Sequence, residues 1–107
     1  MNDRVEMSLL LDFYGPLLTE RQRYCMELHY EEDNSLGEIA EALGVSRQAV
    51  HDNLQRAQQL LAGYEEKLQL VTQYTKQTDI LTEVRKALAE EPVPLARISQ
   101  LLAQLEK

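Results

Sequence analysis

The chain has 107 residues, 11 of them basic and 18 acidic for a net charge of −7, with one cysteine, four glycines and three prolines. This length suits one modest core; the lone cysteine excludes an internal disulfide, and no apolar run reaches the roughly 18 residues of a membrane span. Abundant aliphatic residues with few aromatics, glycines or prolines predict an all-helical protein, and an N-terminus without the basic-then-apolar order of a signal peptide predicts a cytoplasmic one.

A first helix is expected from about Asp3 to Tyr14, with Val5, Leu9, Leu10 and Phe13 on its inner side. Gly15-Pro16 ends it, since proline cannot continue a helix. Thr19 opens a second helix through a capping box, with Gln22 three residues on, and Tyr24, Cys25 and Leu28 are expected to face inward. The run Glu31-Glu32-Asp33-Asn34 reads as a polar connection.

The next stretch is the most informative. Ser35 and Glu38 form a second capping box, and Leu36, Ile39, Ala40 and Leu43 recur at helical spacing. Gly44 is the residue that ends a helix in the left-handed conformation without a side-chain penalty. Val45 fills the turn and Ser46 caps a following helix that begins Arg47-Gln48-Ala49-Val50. Two short helices joined by a tight glycine-containing turn make a helix-turn-helix, whose second helix reads the major groove of DNA.

From Arg47 no proline intervenes before Pro92, and Val50, Leu54, Ala57, Leu61, Tyr64, Leu68 and Val71 keep an alternating spacing of four and three. The pattern predicts a long helix to about Gln77, about 46 Å at 1.5 Å per residue, with a narrow seam suited to pairing. Asp79 is expected to cap a further helix, Ile80 to Glu90, with Leu81, Val84 and Leu88 in line. Glu91-Pro92-Val93-Pro94 is a stiff break, and a last helix from about Leu95 to Leu105 carries Ile98, Leu101, Leu102 and Leu105. The expected organisation is a helix-turn-helix domain over 1–62 and a C-terminal helical extension over 63–107 that forms a homodimer; the alternative is that the seam is simply the chain's own core.

Chemistry beyond binding finds little support. His29 and His51 lie on different helices without the cysteine or carboxylate spacing of a zinc site. No glycine-rich phosphate loop or nucleophile elbow is present, so no catalytic residue, metal or cofactor is expected. Charge argues against strong DNA binding: Thr19 to Ala62 holds four arginines against eight carboxylates, and phosphate contacts supply most non-specific affinity.

The segment Ser35-Leu36-Gly37-Glu38-Ile39-Ala40-Glu41, followed by Leu43-Gly44-Val45-Ser46, resembles region 4 of the sigma-70 family, the part of a transcription initiation factor that reads a promoter element. A longer resemblance takes in Leu9-Leu10-Leu11-Asp12-Phe13-Tyr14-Gly15-Pro16-Leu17-Leu18-Thr19, Ser46-Arg47-Gln48-Ala49-Val50-His51-Asp52-Asn53 and Tyr64-Glu65-Glu66-Lys67-Leu68. Over Leu9 to Leu70 the chain looks like the YlxM family of small bacterial helix-turn-helix proteins. That resemblance implies a sigma-70 region 4-like fold and an association, through gene neighbourhood, with the signal recognition particle pathway and its GTPase protein.

Two functions follow. In a DNA-binding regulator, Arg47 and Gln48 stand at the entering end of the reading helix, with His51 and Gln55 one and two turns along. Ser46 leaves backbone amides for a phosphate, and Arg21, Arg23 and Arg56 act as phosphate clamps. Glutamine suits bidentate contact with adenine, and four clamps imply a log–log salt slope of about −3.6 per chain. Asp52 is expected to cap locally or to pair with Arg56. The alternative is a protein-interaction module that binds a signal recognition particle component without reading DNA, since a fold does not fix its ligand.

Overall fold

The computed structural model describes residues 3–106, and these form helices and turns with no strand among the described residues. Six helices follow in order: α1 (Asp3–Tyr14), α2 (Glu20–Tyr30), α3 (Leu36–Leu43), α4 (Arg47–Leu68), α5 (Leu70–Leu88) and α6 (Leu95–Ala103), with 3-10 turns at Gly15–Leu17 and Gln104–Glu106. They fall into two compact units, Met1–Val71 and Thr72–Lys107.

In the first unit α2 and α3 pack on α4, and α1 packs on α2 and α4. The Thr19 capping box is formed in full: Thr19 Oγ1 accepts from the Gln22 amide at 3.1 Å and the Gln22 side chain accepts from the Thr19 amide at 3.1 Å. One core joins Leu10, Leu11 and Tyr14 of α1, Cys25, Met26 and Leu28 of α2, Ile39 and Ala40 of α3, and Val50, Leu54, Ala57 and Leu61 of α4. Leu36 and Val45 pack against it partly buried.

The seam from Val50 to Leu61 is therefore this unit's own core. Side chains on α1 and α2 turn differently from the sequence reading. Val5 and Phe13 are exposed while Leu11 and Tyr14 are buried; Tyr24 is exposed while Cys25 and Met26 are buried. Both helices carry apolar residues on more than one stripe, and the neighbours that happen to dock select which stripe is inward.

The long helix is shorter than its periodicity predicts. α4 stops at Leu68 because Gln69 adopts φ 54°, ψ 31°, in the left-handed region, and donates its amide to the Glu65 carbonyl at 2.9 Å. α5 begins at once, and its first amides are met by tertiary partners. Leu70 N–H donates to the Tyr14 hydroxyl at 3.0 Å, and Val71 N–H donates to Glu65 Oε1 at 3.0 Å. The Tyr14 hydroxyl in turn donates to the same carboxylate oxygen at 2.6 Å. A fully buried tyrosine from α1 thus caps the start of α5. Asp79 starts no helix; it lies inside α5.

In the second unit α5 runs to Leu88 and α6 follows after the break at Glu90–Pro94. Ile80, Val84 and Ala87 of α5 meet Ile98 of α6, with Leu101 and Leu105 packed alongside. Leu81 and Leu88, read in line with Val84, and Leu102 of the last helix are exposed. Val84 belongs to both the expected and the observed stripe, so spacing alone could not choose between Leu81 and Ile80.

Candidate nucleic-acid interface

The helix-turn-helix is built by three local devices. Ser35 Oγ accepts from the Glu38 amide at 3.1 Å while Glu38 Oε1 accepts from the Ser35 amide at 2.9 Å. The Ser35 amide, and after it the Ser35 hydroxyl, hold the Glu38 carboxyl below the usual carboxylate range. Gly44 takes φ 69°, ψ 35°, with its amide and that of Val45 returning to the Glu41 and Ala40 carbonyls at 3.3 and 3.0 Å, a Schellman ending. Ser46 then caps α4, its Oγ accepting from the Ala49 amide at 3.0 Å. This leaves the amides of Arg47 and Gln48 at the positive end of a 22-residue helix with no acceptor among the described residues.

Every residue expected to meet DNA is solvent-accessible: Ser46, Arg47, Gln48, His51, Gln55 and Arg56 on or beside α4, Arg21 and Arg23 on α2. Gln48, His51 and Gln55, at spacings of three and four, share one outward stripe. Arg56 stands about 100° further round the helix than Gln55.

Asp52 belongs to this surface and is not partnered as expected. Its Oδ1 accepts from Gln48 Nε2 at 3.0 Å and lies 3.6 Å from His51 Nδ1, an ion pair when that imidazole is protonated. Asp52 therefore gathers Gln48 and His51, two of the candidate reading side chains, rather than Arg56, and any base contact by Gln48 requires that bond to open.

The arginines divide by location. Arg47 lies over α3, where a Cβ added at Gly37 would come within 2.9 Å of its Nη2 and 3.1 Å of its Nε. Gly37 is thus the seat of the Arg47 guanidinium. Its sequence signal is a glycine one residue inside a helix, where alanine would be about 1 kcal/mol better, although the capping pattern drew attention elsewhere.

Arg23 is committed to Glu27 at 2.9 Å and rests beside Gly15. Arg21 and Arg23 are two residues apart, about 200° round α2, yet both side chains line one open depression with Glu20, Tyr24, Glu27 and Leu43. Arg21 lies near enough to Cys25 to oppose, weakly, the rise that burial imposes on that thiol's pKa.

On the flank of α4, His51 and Gln55 share a shallow depression with His29, Leu36, Leu54 and Gln58. His29 Nδ1 lies 3.0 Å from the Asn34 carbonyl oxygen. A carbonyl only accepts, so Nδ1 carries the proton there. Among the described residues no three histidine, cysteine or carboxylate side chains are grouped to hold a metal ion, and no helix is long and apolar enough to cross a membrane.

Residues 1–103 match the family model of helix-turn-helix proteins described as YlxM / p13 like. The chain is similar to the UPF0122 protein of Halalkalibacterium halodurans, 44% identical over 106 residues that cover 99% of this chain and 94% of that one. A UPF0122 protein of Desulforamulus reducens is 55% identical over 84 residues, 78% of this chain and 72% of its own. One from Symbiobacterium thermophilum is 45% identical over 97 residues, 91% of each.

Proposed function

The chain belongs to the UPF0122 family of YlxM / p13-like helix-turn-helix proteins, and on that premise we propose that it is a cytoplasmic DNA-binding regulator of the sigma-70 region 4-like type. The observation that carries this reading is the outward stripe Gln48, His51 and Gln55 at the serine-capped end of α4, standing clear of the core. Arg47, its neighbouring free amides and Ser46 supply the phosphate contact. Arg56 and Arg21 are the remaining clamps. Arg23, occupied by Glu27, contributes only when that pair opens.

The proposed active form is a homodimer through the second unit. Leu81 and Leu88 on α5 and Leu95 and Leu102 on α6 are each spaced by seven residues and are 41%, 55%, 72% and 43% exposed. Spacing of that kind forms a stripe along one side of a helix. Two reading helices about 34 Å apart would meet successive major grooves.

A second reading is favoured by Asp52, a carboxylate in the middle of the reading stripe on a segment that is already acidic. In it the protein binds a component of the signal recognition particle, its GTPase protein above all, and acts in that pathway without reading DNA. Footprinting of genomic fragments and titration with the targeting GTPase, at low and moderate salt, separate the two. A sequence-specific footprint that Gln48→Ala erases supports the regulator; a stable protein complex with no footprint at roughly 50 mM salt removes it.

A further inference from the structure

The outward side of α4 changes character along its length. Its first half exposes Arg47, Gln48, His51, Asp52, Gln55 and Arg56, whereas its last turn exposes Glu66 and Lys67, with Glu65 half-buried beside them. There α4 and α1 leave a groove with an apolar floor of Met7, Leu10 and Ala62, closed at one end by Tyr30, and Glu6 and Glu66 stand on its rim. Among the described residues no lysine, arginine or histidine lines it. Gln58 Nε2 donates to the Tyr30 hydroxyl at 2.5 Å and holds that end in place. Arg4 pairs with Asp33 and donates to the Tyr30 carbonyl.

Glu65 is held by Tyr14 and Val71. By contrast, neither Glu6 nor Glu66 forms an ion pair among the described residues, and both are exposed. From Gln58 to Glu66 the groove runs about 12 Å along α4, about two turns of an apposed helix.

We infer that this groove is a docking site for a basic amphipathic helix of a partner protein. Two turns of apolar side chains lie on Met7 and Ala62, and flanking lysines or arginines meet Glu6 and Glu66. Nucleic acid is excluded by the same rim, because the carboxylates repel phosphate. A second copy of this chain fits poorly. Its most amphipathic helix, α6, carries one cation, Arg97, already paired with Glu90, and the copy brings a net charge of −7. Charge complementarity of this kind sets partner choice and encounter rate. The site is separate from the reading end of α4, so a DNA-bound protein keeps it available to a basic partner.

The test uses the full chain and a fluorescein-labelled synthetic helix of about 14 residues, leucines on one face and lysines beside them, with a glutamate-for-lysine version as control. Anisotropy at roughly 0.1 M salt is expected to show saturable binding of the lysine peptide only. The double variant Glu6→Lys/Glu66→Lys is expected to weaken it about tenfold or more. Ala62→Gln, which fills the floor without changing charge at an exposed helical position, is expected to weaken it as well.

The double variant Glu41→Lys/Glu83→Lys changes the net charge equally elsewhere and is expected to leave binding within about twofold. Gln48→Ala leaves it unchanged, so the DNA reading can fail while this site stands, and the reverse. Equal weakening by both charge-reversed pairs, or no effect of Ala62→Gln, overturns the site. If Ala62→Gln instead abolishes self-association in sedimentation while the peptide fails to bind, a second copy occupies the groove and the inference is wrong.

Discussion

Tyr14 has no accessible surface, yet its hydroxyl donates to Glu65 and accepts from Leu70, joining α1 to the point where α4 hands over to α5. Tyr14→Phe takes the acceptor from the part-buried Leu70 amide and the donor from Glu65, and is expected to cost about 1–3 kcal/mol, read as a lower urea midpoint. Burial first, then the hydrogen bond to Glu65, raises the hydroxyl's pKa above the usual value of about 10. A raised folded-state value means that the unfolded chain loses this proton first. The contribution is therefore complete below pH about 10 and is lost as pH climbs through the folded value. Unfolding at neutral and at alkaline pH should show a smaller alkaline loss in Tyr14→Phe than in the parent; equal losses would place the titration elsewhere. Leu54, buried between α3 and α4, is the corresponding test of apolar packing: Leu54→Ala is expected to cost about 2–5 kcal/mol, and a loss well under 1 kcal/mol would contradict its burial.

Gly44 and Gln69 both end a helix in the left-handed region and differ in how they reach it. A Cβ added at Gly44, where φ is 69°, would meet nothing within 4 Å, so Gly44→Ala costs the backbone preference alone, about 1–2 kcal/mol. Gln69 at φ 54° already bears that penalty. Gln69→Gly is expected to stabilise by up to about 1 kcal/mol, checked by thermal unfolding. Gly37→Ala works differently, since the atoms it would crowd are the far end of the Arg47 side chain. That variant is expected to hold or raise its melting temperature while moving the guanidinium, and hence to change DNA affinity if Arg47 holds a phosphate. A large loss of stability would mean that the backbone, not the side chain, had yielded.

For the whole molecule, charge and oligomeric state are the measurable consequences. With Arg23 taken up by Glu27, the clamps left are Arg21, Arg47 and Arg56, so DNA binding is expected to follow a log–log salt slope of about −2.7 per chain rather than about −3.6. A slope near zero would leave no electrostatic contact to explain. Light scattering at micromolar concentration is expected to give about twice the 12.3 kDa chain mass. Leu81→Glu/Leu102→Glu, which places charge on the exposed leucine stripes, should return the monomer; a parent already monomeric would remove the proposed dimer.

The parts of this fold held by local rules are legible in the order of residues alone. Thr19, Ser35 and Ser46 announced three helix starts because caps act within one turn. Gly44 announced a helix end because only its backbone avoids a left-handed penalty. The period through Val50, Leu54, Ala57 and Leu61 located a buried stripe, and the outward residues Gln48, His51 and Gln55 followed from the same geometry. Packing between helices chose which apolar stripe of α1, α2 and α5 turned inward, because each offered more than one. The folded chain also decided that Asp52 holds Gln48, that Arg47 rests over Gly37, and that Arg23 is occupied. The clearest case is the end of α4. Lys67-Leu68-Gln69-Leu70 contains no helix breaker, and the chain turns there with a tyrosine hydroxyl from α1, more than fifty residues away, capping the next helix. No local pattern encodes a hydrogen bond across that separation.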